Sequence, residues 1–210
     1  MSRLRIENLR WDGVGPLSLA IAPGECVCLS GPSGAGKTRL LRAVADLDPH
    51  QGAVYLDGTA CVALPPARWR RRVGLLPAES HWWEDRVGAH FPGTPVAGLE
   101  ELGFGVEVLD WPVSRLSSGE RQRLALLRLL ALEPAVLLLD EPTANLDPAN
   151  VQRMEALLAD YRQRRQAALL WVTHDAAQAA RMARRRLVLA NGALQQDAVR
   201  TGEPVPAARS

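Results

Sequence analysis

Eight residues, Gly31-Pro32-Ser33-Gly34-Ala35-Gly36-Lys37-Thr38, constrain this chain more than any other stretch. They follow a short apolar run, Cys26-Val27-Cys28-Leu29, and precede Thr38–Leu47, where Leu40, Leu41 and Val44 share one face of a helix. A glycine-rich turn between a buried strand and a helix offers main-chain N–H groups and the positive end of the helix dipole to phosphate oxygens. The spacing fits G-x-x-x-x-G-K-[ST]. In that pattern the lysine reaches the β- and γ-phosphates and the hydroxyl residue ligates Mg2+. The 25 basic residues comprise 24 Arg and Lys37 alone, so the single lysine stands where a compact point charge suits better than a flat fork.

A second constellation follows from Val136-Leu137-Leu138-Leu139-Asp140-Glu141, an apolar strand tipped by two acids. In a parallel sheet the ligand crevice lies at the carboxyl ends of the strands. Asp140 is expected to hold the Mg2+ shell. Glu141 points elsewhere by strand alternation and is expected to act as general base towards an attacking water.

The rest of the chain supports a mostly parallel sheet covered on both faces. Strands are expected at Leu4–Leu9, Leu17–Ile21, Ala53–Leu56, Val73–Leu76, Ala168–Val172 and Leu187–Leu189. Helices are expected at Ser118–Leu132, Pro148–Arg165 and Asp175–Met182. Residues 78–115 are Gly/Pro-rich and irregular. The 47% hydrophobic content excludes wholesale disorder, and a net charge of +2 argues against a nucleic-acid carpet. Acidic residues balance the Arg68–Arg72 and Arg184–Arg186 runs, which read as solvated faces, so no nucleic-acid partner is expected. No apolar run approaches the roughly 18 residues that span a bilayer, and no secretory signal is recognisable. A cytoplasmic chain is expected, with any membrane role exercised through a partner. Cys26, Cys28 and Cys61 form no disulfide framework and read as buried thiols, Cys26 and Cys28 sharing one strand face.

Leu116-Ser117-Ser118-Gly119-Glu120, ahead of Arg121-Gln122-Arg123 and a leucine-rich helix, resembles the signature segment of ABC-type ATPases. Asn145-Leu146-Asp147 and Thr173-His174-Asp175 are similar to that family's D-loop and switch histidine. The ordered set covers roughly Leu4 to Gln196. The resemblance implies a P-loop NTPase core of ABC-ATPase type, an α/β fold with antiparallel N-terminal strands and a small, shortened helical signature subdomain at about 78–132. It implies one cassette over residues 1–196 and a flexible tail over 197–210. ATP and Mg2+ are the implied cofactors. The implied function is ATP hydrolysis that energises a membrane transporter through head-to-tail dimerisation with a second copy or with a related cassette, with a permease on a separate chain and the cassette peripheral on the inner face of the membrane. In that arrangement Ser117, Ser118, Gly119 and Glu120 meet the partner's γ-phosphate, His174 contacts γ-phosphate and water, and Asp147 couples the two sites. Trp11 falls where the family stacks an aromatic on adenine.

Two departures from the family pattern stand out. Ser118 and Glu120 replace the usual Gly and Gln. Ala78 stands where the family has a glutamine that touches Mg2+ and water, and Glu79 is expected to supply that oxygen instead. The segment Ser80–Phe91 lies where the family docks a coupling helix of the permease. Its Trp82-Trp83 pair reads either as an interface anchor or as filler for a shortened subdomain. His81, His90, Glu79 and Asp85 match no recognised metal-ligand spacing. The alternatives to transport are a soluble ABC-type ATPase and a weakly active nucleotide-binding regulator.

Overall fold

The computed structural model describes residues 2–91, 93 and 95–196. The strands are β1 (Leu4–Trp11), β2 (Val14–Ile21), β3 (Cys26–Ser30), β4 (Gln51–Leu56), β5 (Thr59–Ala60), β6 (Val73–Leu76), β7 (Val136–Asp140), β8 (Ala168–Val172), β9 (Arg185–Ala190) and β10 (Ala193–Gln196). The helices are α1 (Lys37–Val44), α2 (Pro66–Arg72), α3 (Ser118–Leu130), α4 (Pro148–Arg165) and α5 (Ala176–Met182). The tail expected at 197–210 lies outside the described residues.

Two sheets result. An antiparallel sheet has the order β2-β1-β4-β5, and a six-stranded sheet has the order β10-β9-β3-β8-β7-β6. In the larger sheet β9, β3, β8, β7 and β6 run parallel, and β10 closes one edge antiparallel to β9. β3, β7 and β8 are covered on both faces, which is why they read as continuous apolar runs.

Strand alternation sorts these side chains into two cores. Val27, Leu29, Val136, Leu138, Ala168, Leu170 and Val172 pack with α1 and the antiparallel sheet. Cys26, Cys28, Leu137, Leu139, Leu169 and Trp171 pack on the opposite face with residues of α3, α4 and α5. Cys26 and Cys28 thus share one face as expected, and all three cysteines are buried free thiols.

Three expectations need extending. α2 is a full helix around Trp69, whose indole N–H donates to the Val44 carbonyl at 3.0 Å. Its Arg68, Arg70 and Arg71 face solvent. The short strand β5 and the polar strand β10 had no apolar alternation to announce them; they pair with β4 and β9, and β10 packs only Leu194 against the core. Between β6 and α3 the Gly/Pro-rich stretch folds into 3-10 turns at Val87–His90, Val106–Asp110 and Val113–Arg115.

Candidate functional site

The loop from Gly31 to Gly36 joins β3 to α1 at the carboxyl end of the parallel sheet. Its conformation demands glycine at two points. Gly31 has φ of 144°, and a Cβ there would lie 2.2 Å from the Leu189 carbonyl oxygen. Gly36 is the left-handed N-cap of α1, with φ of 97° and no side-chain cap. The first turn of α1 carries no acid of its own, so no carboxylate of that turn competes with a phosphate for its first N–H groups. Lys37 is 7% exposed and folds back over the loop. Its Nζ donates to the carbonyls of Gly31 at 2.8 Å and Pro32 at 3.0 Å.

Thr38 and Asp140 are 102 residues apart in sequence, yet the Thr38 hydroxyl donates to Asp140 Oδ2 at 2.7 Å. β7 carries Asp140 to its last position, where burial raises its carboxyl pKa above the ordinary carboxylate value against the lowering effect of the Thr38 hydrogen bond. A hydroxyl and a carboxylate this close form a hard-oxygen donor pair that fits Mg2+, which usually takes one or two protein oxygens and fills its shell with phosphate and water.

Glu141 has left the strand. Its φ is 45°, and its N–H donates to the Val172 carbonyl at 3.1 Å. A left-handed backbone, rather than the strand alternation expected, turns its side chain away from Asp140 and towards the next strand end. A non-glycine residue in that region costs roughly 1–2 kcal/mol, a strain typical of functional positions. His174 stands just beyond β8, the neighbour of β7, and its Nε2 lies 3.1 Å from Glu141 Oε1. The fold thus joins Lys37, Thr38, Asp140, Glu141 and His174 at one end of three adjacent strands.

Trp11 ends β1 and is largely buried. A Cβ at Gly36 would lie 3.3 Å from its ring, so the indole buttresses the phosphate loop. The Arg39 guanidinium sits 6.0 Å from the ring centroid and pairs with Asp12 at 2.7 Å. Trp11, Asp12, Arg39, His50 and Gln51 line a cavity of about 650 Å³.

The signature residues open α3. Ser117 is its N-cap in a full capping box. The Glu120 N–H donates to Ser117 Oγ at 3.2 Å, and both the Ser117 N–H and hydroxyl donate to Glu120 Oε2 at 2.8 Å. These bonds, the main-chain one foremost, hold the Glu120 carboxyl below its ordinary pKa. Glu120 is therefore a helix cap as well as a departure from the family residue, and the Ser117 hydroxyl is already engaged. Ser118 is exposed. Gly119 packs under the loop of Asn145, where a Cβ would lie 3.1 Å from the Asn145 carbonyl oxygen. Asp147 caps α4 by accepting from the Asn150 N–H at 3.0 Å. Arg123 Nη1 then joins Asn150 Oδ1 at 2.8 Å to α3.

Glu79 is exposed beyond β6. The tryptophan pair divides between its two readings. Trp82 packs against the helical core, and Trp83 is 69% exposed. Arg128 lies over both rings, at 4.6 Å and 4.8 Å from their centroids. His90 is committed to the main chain. Its Nε2 accepts from the N–H groups of Trp83 and Glu84, both at 3.0 Å, and its Nδ1 lies 3.1 Å from the Arg86 carbonyl oxygen.

Sequence reasoning passed over two buried glutamines. Gln122 donates to the Pro77 carbonyl at 2.9 Å and accepts from the Ser80 hydroxyl at 2.5 Å, tying the segment around Ala78 to α3. Gln178 joins the loops after β7 and β8. Each lies on the apolar stripe of its helix, four residues before Leu126 and Met182, and that interruption was the available signal.

Residues 14–144 match the protein family described as ABC transporter. The aliphatic sulfonates import ATP-binding protein of Paracoccus denitrificans is 41% identical over 184 residues, 85% of this chain and 71% of that protein. A protein of the same description from Pseudomonas fluorescens is also 41% identical, over 86% of this chain and 68% of that one. A solved subunit of a Clostridium perfringens ABC transporter complex superposes with a TM-score of 0.78 at 23% identity, covering 93% of this chain and 88% of that chain. A dimeric ATP-binding cassette in a post-hydrolysis state gives 0.79 at 22% identity over 95% and 100%.

Proposed function

The chain belongs to the ABC transporter family of ATP-binding subunits, and on that footing we propose that two copies close head to tail around ATP to power uptake of an aliphatic sulfonate. It is an ATPase that energises a membrane transporter. The description shared by its relatives supports the cargo class and the direction. Residues 1–196 act as one cassette, with 78–132 as its signature subdomain.

The observation that carries the mechanism is the convergence of the Thr38–Asp140 and Glu141–His174 pairs on the phosphate loop. The main-chain N–H groups from Gly31 to Thr38 bind the β- and γ-phosphates. Lys37 exchanges its two carbonyl partners for phosphate oxygens, so a preformed electrostatic site receives the charge. Trp11 supports the adenine end. Thr38 and Asp140 hold Mg2+, with Glu79 as a further oxygen. When bound, that ion neutralises charge developing between the β- and γ-phosphates. Glu141 accepts a proton from the attacking water, and His174, within hydrogen-bond reach, orients Glu141 and the γ-phosphate. Ser117, Ser118, Gly119 and Glu120 of one copy cover the nucleotide of the other, and Asp147 links the two sites.

The described residues include no helix long and apolar enough to cross a membrane. The transmembrane permease is a separate chain, and this subunit docks on it at the inner face. Trp83 and Leu47 are exposed at a groove of about 510 Å³ that also includes Leu76, Arg70 and Arg128. That groove is the docking surface.

Glu141→Gln tests the closure. With Mg-ATP the variant should accumulate as an ATP-bound dimer in light scattering, alone or with its permease. A monomer under both conditions overturns the sandwich. Uptake of a labelled alkanesulfonate by cells carrying the chain and its permease tests the cargo. Uptake unchanged on deleting the chain overturns that assignment.

A further inference from the structure

We propose that Gln178 is a positioning residue that holds the Glu141 and His174 loops in register, and that hydrolysis depends on its amide rather than on its bulk. The inference rests on the roles given to Glu141 and His174 above. Gln178 is 2% exposed on α5. Its Nε2 donates to Thr143 Oγ1 at 2.9 Å and to Glu155 Oε1 at 3.0 Å, and its Oε1 accepts from the Thr173 hydroxyl at 2.8 Å. Thr143 lies two residues after Glu141, and Thr173 immediately precedes His174. One amide therefore touches both catalytic loops.

Those loops have little else in common. Among the described residues, the main-chain pairing of β7 with β8 ends at the bond from the Glu141 N–H to the Val172 carbonyl. Beyond that point the loops diverge towards α4 and α5, and the link between them passes through side chains. The joint is anchored from behind. Glu155 of α4 is buried and receives Arg181 of α5 on both oxygens, at 2.8 Å and 3.0 Å. The series Arg181, Glu155, Gln178 and then the two threonines has a fixed polarity. The amide has to donate towards Glu155 and accept from Thr173, so the glutamine has one orientation only. The Thr173 hydroxyl also accepts from the Asp175 N–H at 3.1 Å, which carries the restraint across His174. A joint of this kind sets the distance between Glu141 and His174, to which a general base acting on a bound water is sensitive.

The test uses the full chain, Mg-ATP turnover and binding of a methylanthraniloyl-ATP probe. Gln178→Leu keeps the volume and removes the amide. Turnover should fall about tenfold or more while probe affinity stays within about twofold, because the phosphate loop is untouched. Gln178→Glu sets a carboxylate against Glu155 and should also lose turnover. Turnover of Gln178→Leu within twofold of the parent overturns the proposal. So does a matching loss of probe affinity. Glu141→Gln in the same assay separates the two levels. If it stays active, the role of Glu141 fails. If it is dead while Gln178→Leu is active, only the inference about Gln178 fails.

Discussion

On the side of the six-stranded sheet that faces α1 and the antiparallel sheet, the interior is almost wholly hydrocarbon, with Trp69 satisfied by one main-chain carbonyl. On the helical side the interior also holds His90, Gln122, Arg123, Glu155 and Gln178. The other buried polar residues among those described are Lys37, at the start of α1, and Asp140 and Thr173, at the ends of β7 and β8. Apolar packing is non-directional and varies smoothly with area, whereas a buried hydrogen bond is made or missing at a given geometry. The first face therefore serves as a fixed mount for the phosphate loop. The second contains polar joints, among them Gln122 and Gln178, which link a helix to the loops beyond the strand ends.

Several substitutions can break or sharpen this contrast. The largest effect is expected at the end of β7. Asp140→Asn should lower Mg-ATP turnover by roughly a hundredfold or more. Yet it should raise the unfolding midpoint of the nucleotide-free chain near neutral pH. Burial raises the folded pKa of Asp140, so its ionised form opposes folding, and that cost is relieved as pH falls. A lower midpoint in thermal unfolding would contradict this.

Next come the faces themselves. Leu138 and Leu139 are fully buried on opposite sides of β7. Leu138→Ala and Leu139→Ala should each cost about 2–5 kcal/mol in urea unfolding, because both faces are close-packed. Arg123→Leu tests a joint. It leaves the Leu102 carbonyl and Asn150 Oδ1 without their donor, and should cost about 1–3 kcal/mol. A neutral result would mean that α3 is held by packing alone.

Ser117→Ala should cost about 0.5–2 kcal/mol through loss of the capping box. The related pH effect is the smallest and has the opposite sign to that of Asp140. The Glu120 carboxyl is held below its ordinary value of 4.5. Its contribution is present above that pH and is lost as pH falls through the folded value. Glu120→Gln should flatten the acid limb of an unfolding-against-pH curve. It also removes a negative charge from the surface proposed to meet the partner's γ-phosphate, so ATP-dependent dimerisation should tighten.

Much of the parallel sheet and its cover was legible in the residues. Val73–Leu76, Pro148–Arg165 and Ala168–Val172 have the same limits in sequence pattern and structure, because hydrophobic period and Pro or Gly punctuation specify such elements locally. The linear motif around Lys37 and Thr38 was equally plain. Less legible were features whose cause lies far along the chain. α2 is short and Arg-rich and is fixed by one buried tryptophan against α1. The outward turn of Glu141 depends on a left-handed backbone that no neighbouring residue announces. Gln122 and Gln178 look like lapses in an apolar stripe until the loops they hold are in place.

The buried, back-folded lysine also bears on labelling. Lys37 is the only side-chain amine in 210 residues, and its Nζ rests on two carbonyls inside the nucleotide loop. Reagents that acylate lysines will find no other lysine in this sequence. The extent of side-chain modification, followed by mass spectrometry with and without ATP, becomes a direct gauge of how often that loop opens.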